Sequence, residues 1–195
     1  MIAVAPRYAE REGWHSRGYL PHFDAQQLVQ SVTFRLADSM PAHLLRWADS
    51  DLVRRKQIDA MLDSGLGSCA LREIRIASLI EAALLHFDGQ RYHLLAWCIM
   101  PNHVHVIVEL LGDNSLSAII QSWKSFTAKR ANPILGQAGK FWAPDYFDRY
   151  IRDATHLAVA IAYIENNPVK AGLARSPDDW TWSSAGRRVA CGRVE

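Results

Sequence analysis

The run Ile99 to Leu110, IMPNHVHVIVEL, sets two histidines one residue apart among apolar and β-branched residues. Side chains alternate along a strand, so Val104, Val106 and Val108 share one face while His103, His105, Ile107 and Glu109 share the other. Two imidazoles on one face stand roughly 6 to 7 Å apart at the backbone, close enough to converge on one ion. Histidines in this pattern also occur as hydrogen-bonded structural residues, and two ligands do not make a metal site. A third ligand and a reacting group must come from elsewhere. The stretch AVAIAYIENNPVKAGL supplies candidates, because Val159, Tyr163 and Asn167 are four residues apart and fall on one helical face. A phenol has an ordinary pKa of about 10, so as a nucleophile it needs a base, a hydrogen bond or a cation nearby. Read alone, Tyr163 would be packing and Asn166-Asn167-Pro168 a helix stop; the two stretches matter together.

The elements that must position these groups follow from local patterning. Val29 to Ala37, Arg91 to Ile99 and His103 to Leu110 read as strands, and Tyr146 to Arg152 as a fourth. Helical spacing runs over Pro41 to Asp63, Leu71 to Phe87 and Leu116 to about Ala131, the last capped by Asn114 or Ser115. Asn132-Pro133 opens a loop. Asp153 or Thr155 caps a final clear helix that runs to about Asn166 and stops at Pro168. Strand, helix, strand, strand, helix, strand, then an extra helix is the order of a split βαβ unit. The fold class is therefore α+β, a ferredoxin-like (RRM-like) sandwich with an antiparallel sheet, plus an additional C-terminal helix carrying the tyrosine. Its third strand is central, which puts the histidines mid-sheet. Residues 1–28 read as an N-terminal arm, 29–186 as the domain with a helical insertion at about 41–68, and 187–195 as a tail.

Size and composition restrict the function classes. With 195 residues, 49% hydrophobic and 22% charged, the chain suits one globular domain. Its apolar runs fall far below the roughly 20 residues of a bilayer span, and the N-terminus has no signal-peptide pattern, so a cytoplasmic protein is expected. Cys69, Cys98 and Cys191 form no CxxC pair, which argues for free thiols over a disulfide framework or structural zinc. The net charge of +2 is uneven: residues 1–114 carry 11 basic and 13 acidic side chains, residues 115–195 carry 11 and 7. A solvated face is the plain reading of that excess, and phosphate binding the sharper one.

Four stretches together resemble the HUH-type single-tyrosine transposases, in their small insertion-sequence and REP-associated branch. They are AWCIMPNHVHVIVE, FWAPDYFDRYIRD, YIENNPVKAGL and DDWTWSSAG, in that order, and the likeness covers roughly residues 29–186. The resemblance implies that His103 and His105 bind a divalent ion, Mg²⁺ or Mn²⁺, with Asn167 as third ligand. It implies that Tyr163 is the catalytic nucleophile, attacking a phosphodiester of single-stranded, hairpin-bearing DNA. The product would be a 5′-phosphotyrosine link and a free 3′-OH, later rejoined during transposition. Two imidazoles and an amide oxygen leave coordination positions open, which suits a Lewis-acid role. Lys124, Lys129, Arg130, Arg149, Arg152 and Lys170 are the expected phosphate contacts, which position DNA without reading sequence. Trp142, Trp180 and Trp182 are read as core packing, with base stacking as the alternative. Relatives act as monomers in cis or as a homodimer in trans.

The chain departs from the REP-associated branch before its first strand, where YLPHFDAQQLVQSVTF replaces a Gly-Gly-Thr-like turn, and residues 38–70 are longer than the minimal pattern. The hairpin recognised, and whether the protein is mobile or domesticated, stay open. A non-cleaving DNA- or RNA-binding module on the same fold is the alternative function, and a metal-dependent phosphodiesterase using water is a third.

Overall fold

The computed structural model describes residues 14–16, 21–23, 28–40 and 52–192. Six strands and six helices are assigned among them: β1 (Trp14–Ser16), β2 (Pro21–Phe23), β3 (Val29–Arg35), α1 (Leu52–Asp63), α2 (Ile74–Leu85), β4 (Tyr92–Ile99), β5 (His103–Leu110), α3 (Leu116–Ile134), β6 (Phe147–Tyr150), α4 (Ala154–Glu165), α5 (Asn167–Lys170) and α6 (Ser184–Gly192). β1 and β2 pair as a hairpin within the stretch read as an arm, and the tail residues up to Gly192 belong to α6. Of the insertion, residues 41–51 lie outside the described residues.

The main sheet has the order β4-β5-β3-β6, with every neighbouring pair antiparallel. This is the arrangement expected of the split βαβ order, and β5 is a central strand. Period-two alternation sorts β5 as the sequence predicts. Val104, Val106 and Val108 join the large core with Ile76, Ile80 and Leu84 of α2 and Leu116, Ile120 and Trp123 of α3. The opposite face packs Ile107 with Ala96 and Cys98 of β4 under Ile164, Leu157 and Ile161 of α4. Helices therefore cover both faces, and the tyrosine helix lies on the histidine side. All three cysteines are free.

Two helix ends differ from the sequence reading. α3 continues past Asn132-Pro133 to Ile134. A proline in a last turn forfeits one hydrogen bond where the carbonyls already face outward, and the Leu135 N–H still reaches the Ala131 carbonyl at 3.0 Å. At the other break, Asp153 caps α4 by accepting from the His156 N–H at 2.7 Å. Pro168 does not end the helical path; it occupies the first turn of α5, where its missing N–H is not needed. Tyr163 and Asn167 thus lie on two consecutive helices joined at Asn166.

The DDWTWSSAG segment straps β4 to the end of α4. The Ile99 N–H donates to the Trp182 carbonyl at 2.8 Å, and the Trp180 indole donates to the Ile99 carbonyl at 3.0 Å. Ser184 Oγ donates to Glu165 Oε1 at 2.6 Å, and Arg188 clamps both carboxylate oxygens of Glu165 at 2.7 and 2.8 Å. Gly186 is required here by space: a β-carbon would collide with the Trp180 carbonyl oxygen and crowd the Thr181 backbone. Since backbone cannot swing aside, Gly186→Ala is expected to destabilise the fold by about 3 kcal/mol. Urea unfolding checks this, and an unchanged midpoint would show that the strap does not hold the fold.

Candidate active site

The site is built where β5 meets α4 and α5, with α1 closing one side. His103 is 0% exposed and His105 3%. Their protonation can be read from their partners. Asn102 Nδ2 donates to the Leu66 carbonyl at 2.8 Å, so the atom it turns to His103 Nδ1, at 2.7 Å, is its oxygen. An amide oxygen only accepts, so Nδ1 carries the proton and His103 Nε2 is bare. His105 Nδ1 shares a 2.7 Å hydrogen bond with Thr33 Oγ1, while Asn167 Nδ2 donates to His105 Nε2 at 2.7 Å. That leaves Nε2 of His105 as an acceptor too. The two Nε2 atoms face each other at 3.0 Å.

Two unprotonated ring nitrogens at that separation are both acceptors, a juxtaposition that a shared cation would relieve. A second proton is disfavoured: burial, then the adjoining His105 imidazole and the Lys170 charge, push His103 well below the ordinary imidazole value. Burial, then Lys170, pushes His105 down to about 3. Two buried oxygens beside them have no hydrogen-bond partner, Oδ1 of Asn167 and Oδ1 of Asp63. Asp63 Oδ1 is 3.9 Å from His103 Nε2, and its other oxygen accepts from Lys170 Nζ at 3.0 Å. Two neutral imidazoles with orphaned oxygens fit a hard-to-borderline divalent cation in a mixed N/O shell. Among the described residues no three His, Cys, Asp or Glu side chains form a ready metal cluster. The third predicted donor here is an amide.

Tyr163 stands beside this group in the same chain, its ring centroid 6.1 Å from that of His105. The residue is 39% exposed, and its hydroxyl donates to Asp59 Oδ2 at 3.1 Å. Partial burial of the phenol and the negative charge of Asp59 both raise its pKa well above that of an ordinary tyrosine, with the hydrogen bond and Asp63 adding to this. The resting phenol is therefore locked in its protonated form. Asp59→Asn is expected to bring that titration down by about one pH unit or more. The tyrosinate absorbance difference between Asp59→Asn with and without Tyr163→Phe measures it, and an unmoved curve would remove Asp59 as the cause.

A cleft of about 400 Å³ opens from Tyr163, His105 and Asp59 past His156 to Arg149 on β6. Its mouth gives a linear ligand a path to the tyrosine.

Sequence comparisons agree with this geometry. Residues 73–167 match the family described as "Transposase IS200 like". The chain is 30% identical over 116 residues to a REP-associated tyrosine transposase of Escherichia coli (strain K12), a match covering 58% of this chain and 67% of that protein. The chain belongs to the IS200-like tyrosine transposase family. It is also 29% identical over 108 residues to a putative REP-associated tyrosine transposase of Haemophilus influenzae, across 50% of this chain and 61% of that protein. A solved structure of a REP-associated tyrosine transposase bound to a REP hairpin superposes with a TM-score of 0.56, covering 89% of this chain and 86% of that one at 21% identity. That likeness supports the sandwich fold.

The four residues singled out for family chemistry, His103, His105, Tyr163 and Asn167, meet in one place. The six cations do not. Lys124 is 8% exposed and donates to the Pro144 and Asp145 carbonyls at 2.9 and 3.4 Å, so it holds a loop inside the fold and cannot meet phosphate there. Burial lowers its pKa to about 8, with Asp145 opposing and Arg35 adding to the shift. Lys129 and Arg130 are exposed, but α3 covers the valine face of the sheet, away from the histidines. Arg130 stacks over Phe126 at 3.8 Å. Arg149, Arg152 and Lys170 remain on the tyrosine side, Arg149 in the cleft wall and Lys170 5.4 Å from the Tyr163 ring centroid. The tryptophans pack as expected: Trp142 is buried with its indole donating to Thr127 Oγ1 at 2.8 Å. Asp59 and Asp63 were missed by sequence reasoning. Their i, i+4 spacing at the end of a helical insertion was the only available signal.

Proposed function

We propose that the chain cuts and rejoins single-stranded, hairpin-bearing DNA through a 5′-phosphotyrosine at Tyr163, in a transposition-type reaction. The observation that carries this reading is a tyrosine beside two mutually facing, proton-poor imidazoles in one chain, at the end of an open cleft. It supports action in cis. His103, His105 and Asn167 would hold Mg²⁺ or Mn²⁺, which when bound polarises the scissile phosphate and lowers the barrier to attack.

The protein's own groups account for the remaining work. Arg149 in the cleft wall, and Arg152, whose backbone N–H donates to His156 of that wall, supply positive charge for the backbone phosphates. The strap from Trp180 to Ser184 fixes the C-terminal end of α4, which limits where the phenol can go. Tyr163 Oη forms a bond to phosphorus as the bond from phosphorus to the 3′ oxygen breaks. Asp59 Oδ2, already the acceptor of the phenol's hydrogen bond, receives its proton and passes it to solvent in the open cleft, and the departing 3′ oxygen takes one from solvent to become a hydroxyl. Attack by a 3′-OH on the phosphotyrosine reverses the exchange and returns the phenol. One ester bond replaces another throughout, so rejoining needs no nucleotide cofactor. Family membership favours this over a water nucleophile.

The test uses the full chain, Mn²⁺ or Mg²⁺, and a 3′-labelled single strand carrying a hairpin. Label migrating with the protein on a denaturing gel, and mapping to the peptide containing Tyr163, is the expected result. Cleavage with no adduct would favour the phosphodiesterase, and hairpin binding with no cleavage the non-cleaving module; either would overturn the proposal.

A further inference from the structure

Resting on the metal site just proposed, we infer that Asp63, at the C-terminal end of the inserted helix α1, is an anionic ligand of the same divalent ion. The two histidines and Asn167 contribute no charge when neutral. A divalent cation placed among them would sit in a pocket where both imidazoles are essentially sealed from water. Burying uncompensated charge is costly, and a carboxylate oxygen is the ligand that hard cations favour. Asp63 is the acid in position to meet that need. Its side chain is 10% exposed, its Oδ1 has no hydrogen-bond partner, and that oxygen faces His103 Nε2 at 3.9 Å. Neighbouring donors around an octahedral Mg²⁺-class ion stand about 3 Å apart and opposite ones about 4 Å. The 3.0 Å between the imidazole nitrogens and the 3.9 Å to Asp63 both fall in that range.

Its second oxygen is held independently: Lys170 Nζ lies 3.0 Å from Oδ2 and fixes the carboxylate's orientation. The ammonium is itself half-exposed, so it can stay with Oδ2 or turn to solvent when Oδ1 engages the cation. Helix α1 belongs to the segment that lengthens this chain relative to the minimal family pattern. The insertion thus contributes to the chemistry: Asp59 holds the nucleophile's proton, and Asp63 neutralises the ion.

Mn²⁺ alone, without DNA, is the probe. The electron paramagnetic resonance signal of free Mn²⁺ is titrated against the full chain, and the gain in melting temperature with saturating Mn²⁺ gives a second readout. Asp63→Asn, nearly the same shape without the charge, is expected to weaken Mn²⁺ binding at least about tenfold and to shrink the melting shift accordingly. Lys170→Met removes the same ion pair but leaves the carboxylate, and is expected to bind Mn²⁺ at least as tightly as wild type. Wild-type affinity in Asp63→Asn would overturn the inference, as would equal weakening by both variants, which would make Asp63 a strut between α1 and α5. His105→Ala separates the two levels. If it loses Mn²⁺ while Asp63→Asn keeps it, the metal site stands and the role of Asp63 falls; if neither loses it, the metal site itself fails.

Discussion

Tyr163→Phe is expected to abolish the covalent protein–DNA adduct while leaving the fold, hairpin binding and Mn²⁺ binding in place. The substitution removes one oxygen from a ring that is already partly open to solvent, and the lost hydrogen bond to Asp59 is worth about 1 kcal/mol. Stability therefore changes little. Chemistry changes wholly, because the phenol is the hydroxyl whose ring stands beside His105, while Thr33, also in the cleft, is engaged with His105 Nδ1. A loss of at least about 10³-fold in adduct yield is expected, matching the removal of a nucleophile whose attack the site must lower by several kcal/mol. Gel quantification of 3′-labelled DNA checks it. Persistent strand cleavage in the variant would mean that water, not the phenol, is the attacking group.

Removing His105 strikes the other half of the site. His105→Ala deletes one of two bare nitrogens and leaves the Thr33 hydroxyl and the Asn167 amide without their partner. Unsatisfied buried groups of this kind cost about 1–3 kcal/mol, so a modest fall in unfolding free energy accompanies the functional loss. Mn²⁺ retention should drop by about 10² or more, and adduct formation with it, since a cation held by these residues would supply several kcal/mol of transition-state stabilisation. Calorimetric titration with Mn²⁺ and the adduct assay measure the two effects on the same protein. If adduct yield survived the loss of Mn²⁺ affinity, the ion would have no part in the reaction.

The sheet was legible in the sequence for reasons of periodicity. Alternation along Val104 to Val108 fixed which face of β5 packs inward, and the strand order followed from the split βαβ pattern; both appear as expected. The resemblance singled out His103, His105, Tyr163 and Asn167, and the fold brings these four together. What the sequence could not show is how separate segments meet. Lys124 looks like any basic residue on an amphipathic helix, yet a turn at Pro144 and Asp145 draws its ammonium inward. Asp59 and Asp63 carry no motif, and only docking of α1 against α4 and α5 gives them meaning. The break at Asn166 was likewise hidden, since four-residue spacing reads as one helix whether or not the helix restarts.

The strap from Trp180 to Arg188 has a consequence for the order in which a new chain becomes competent. β4 and β5 form a hairpin from residues close in sequence, so the histidine pair is in place early and locally. The tyrosine helix, already packed on the sheet through Leu157, Ile161 and Ile164, gains a second anchor when Ser184 and Arg188 close on Glu165. A chain nicked before the strap would keep the β4–β5 hairpin and lose the hydrogen bonds that hold Glu165, two residues beyond Tyr163, so the phenol's placement depends on a contact far from it in sequence.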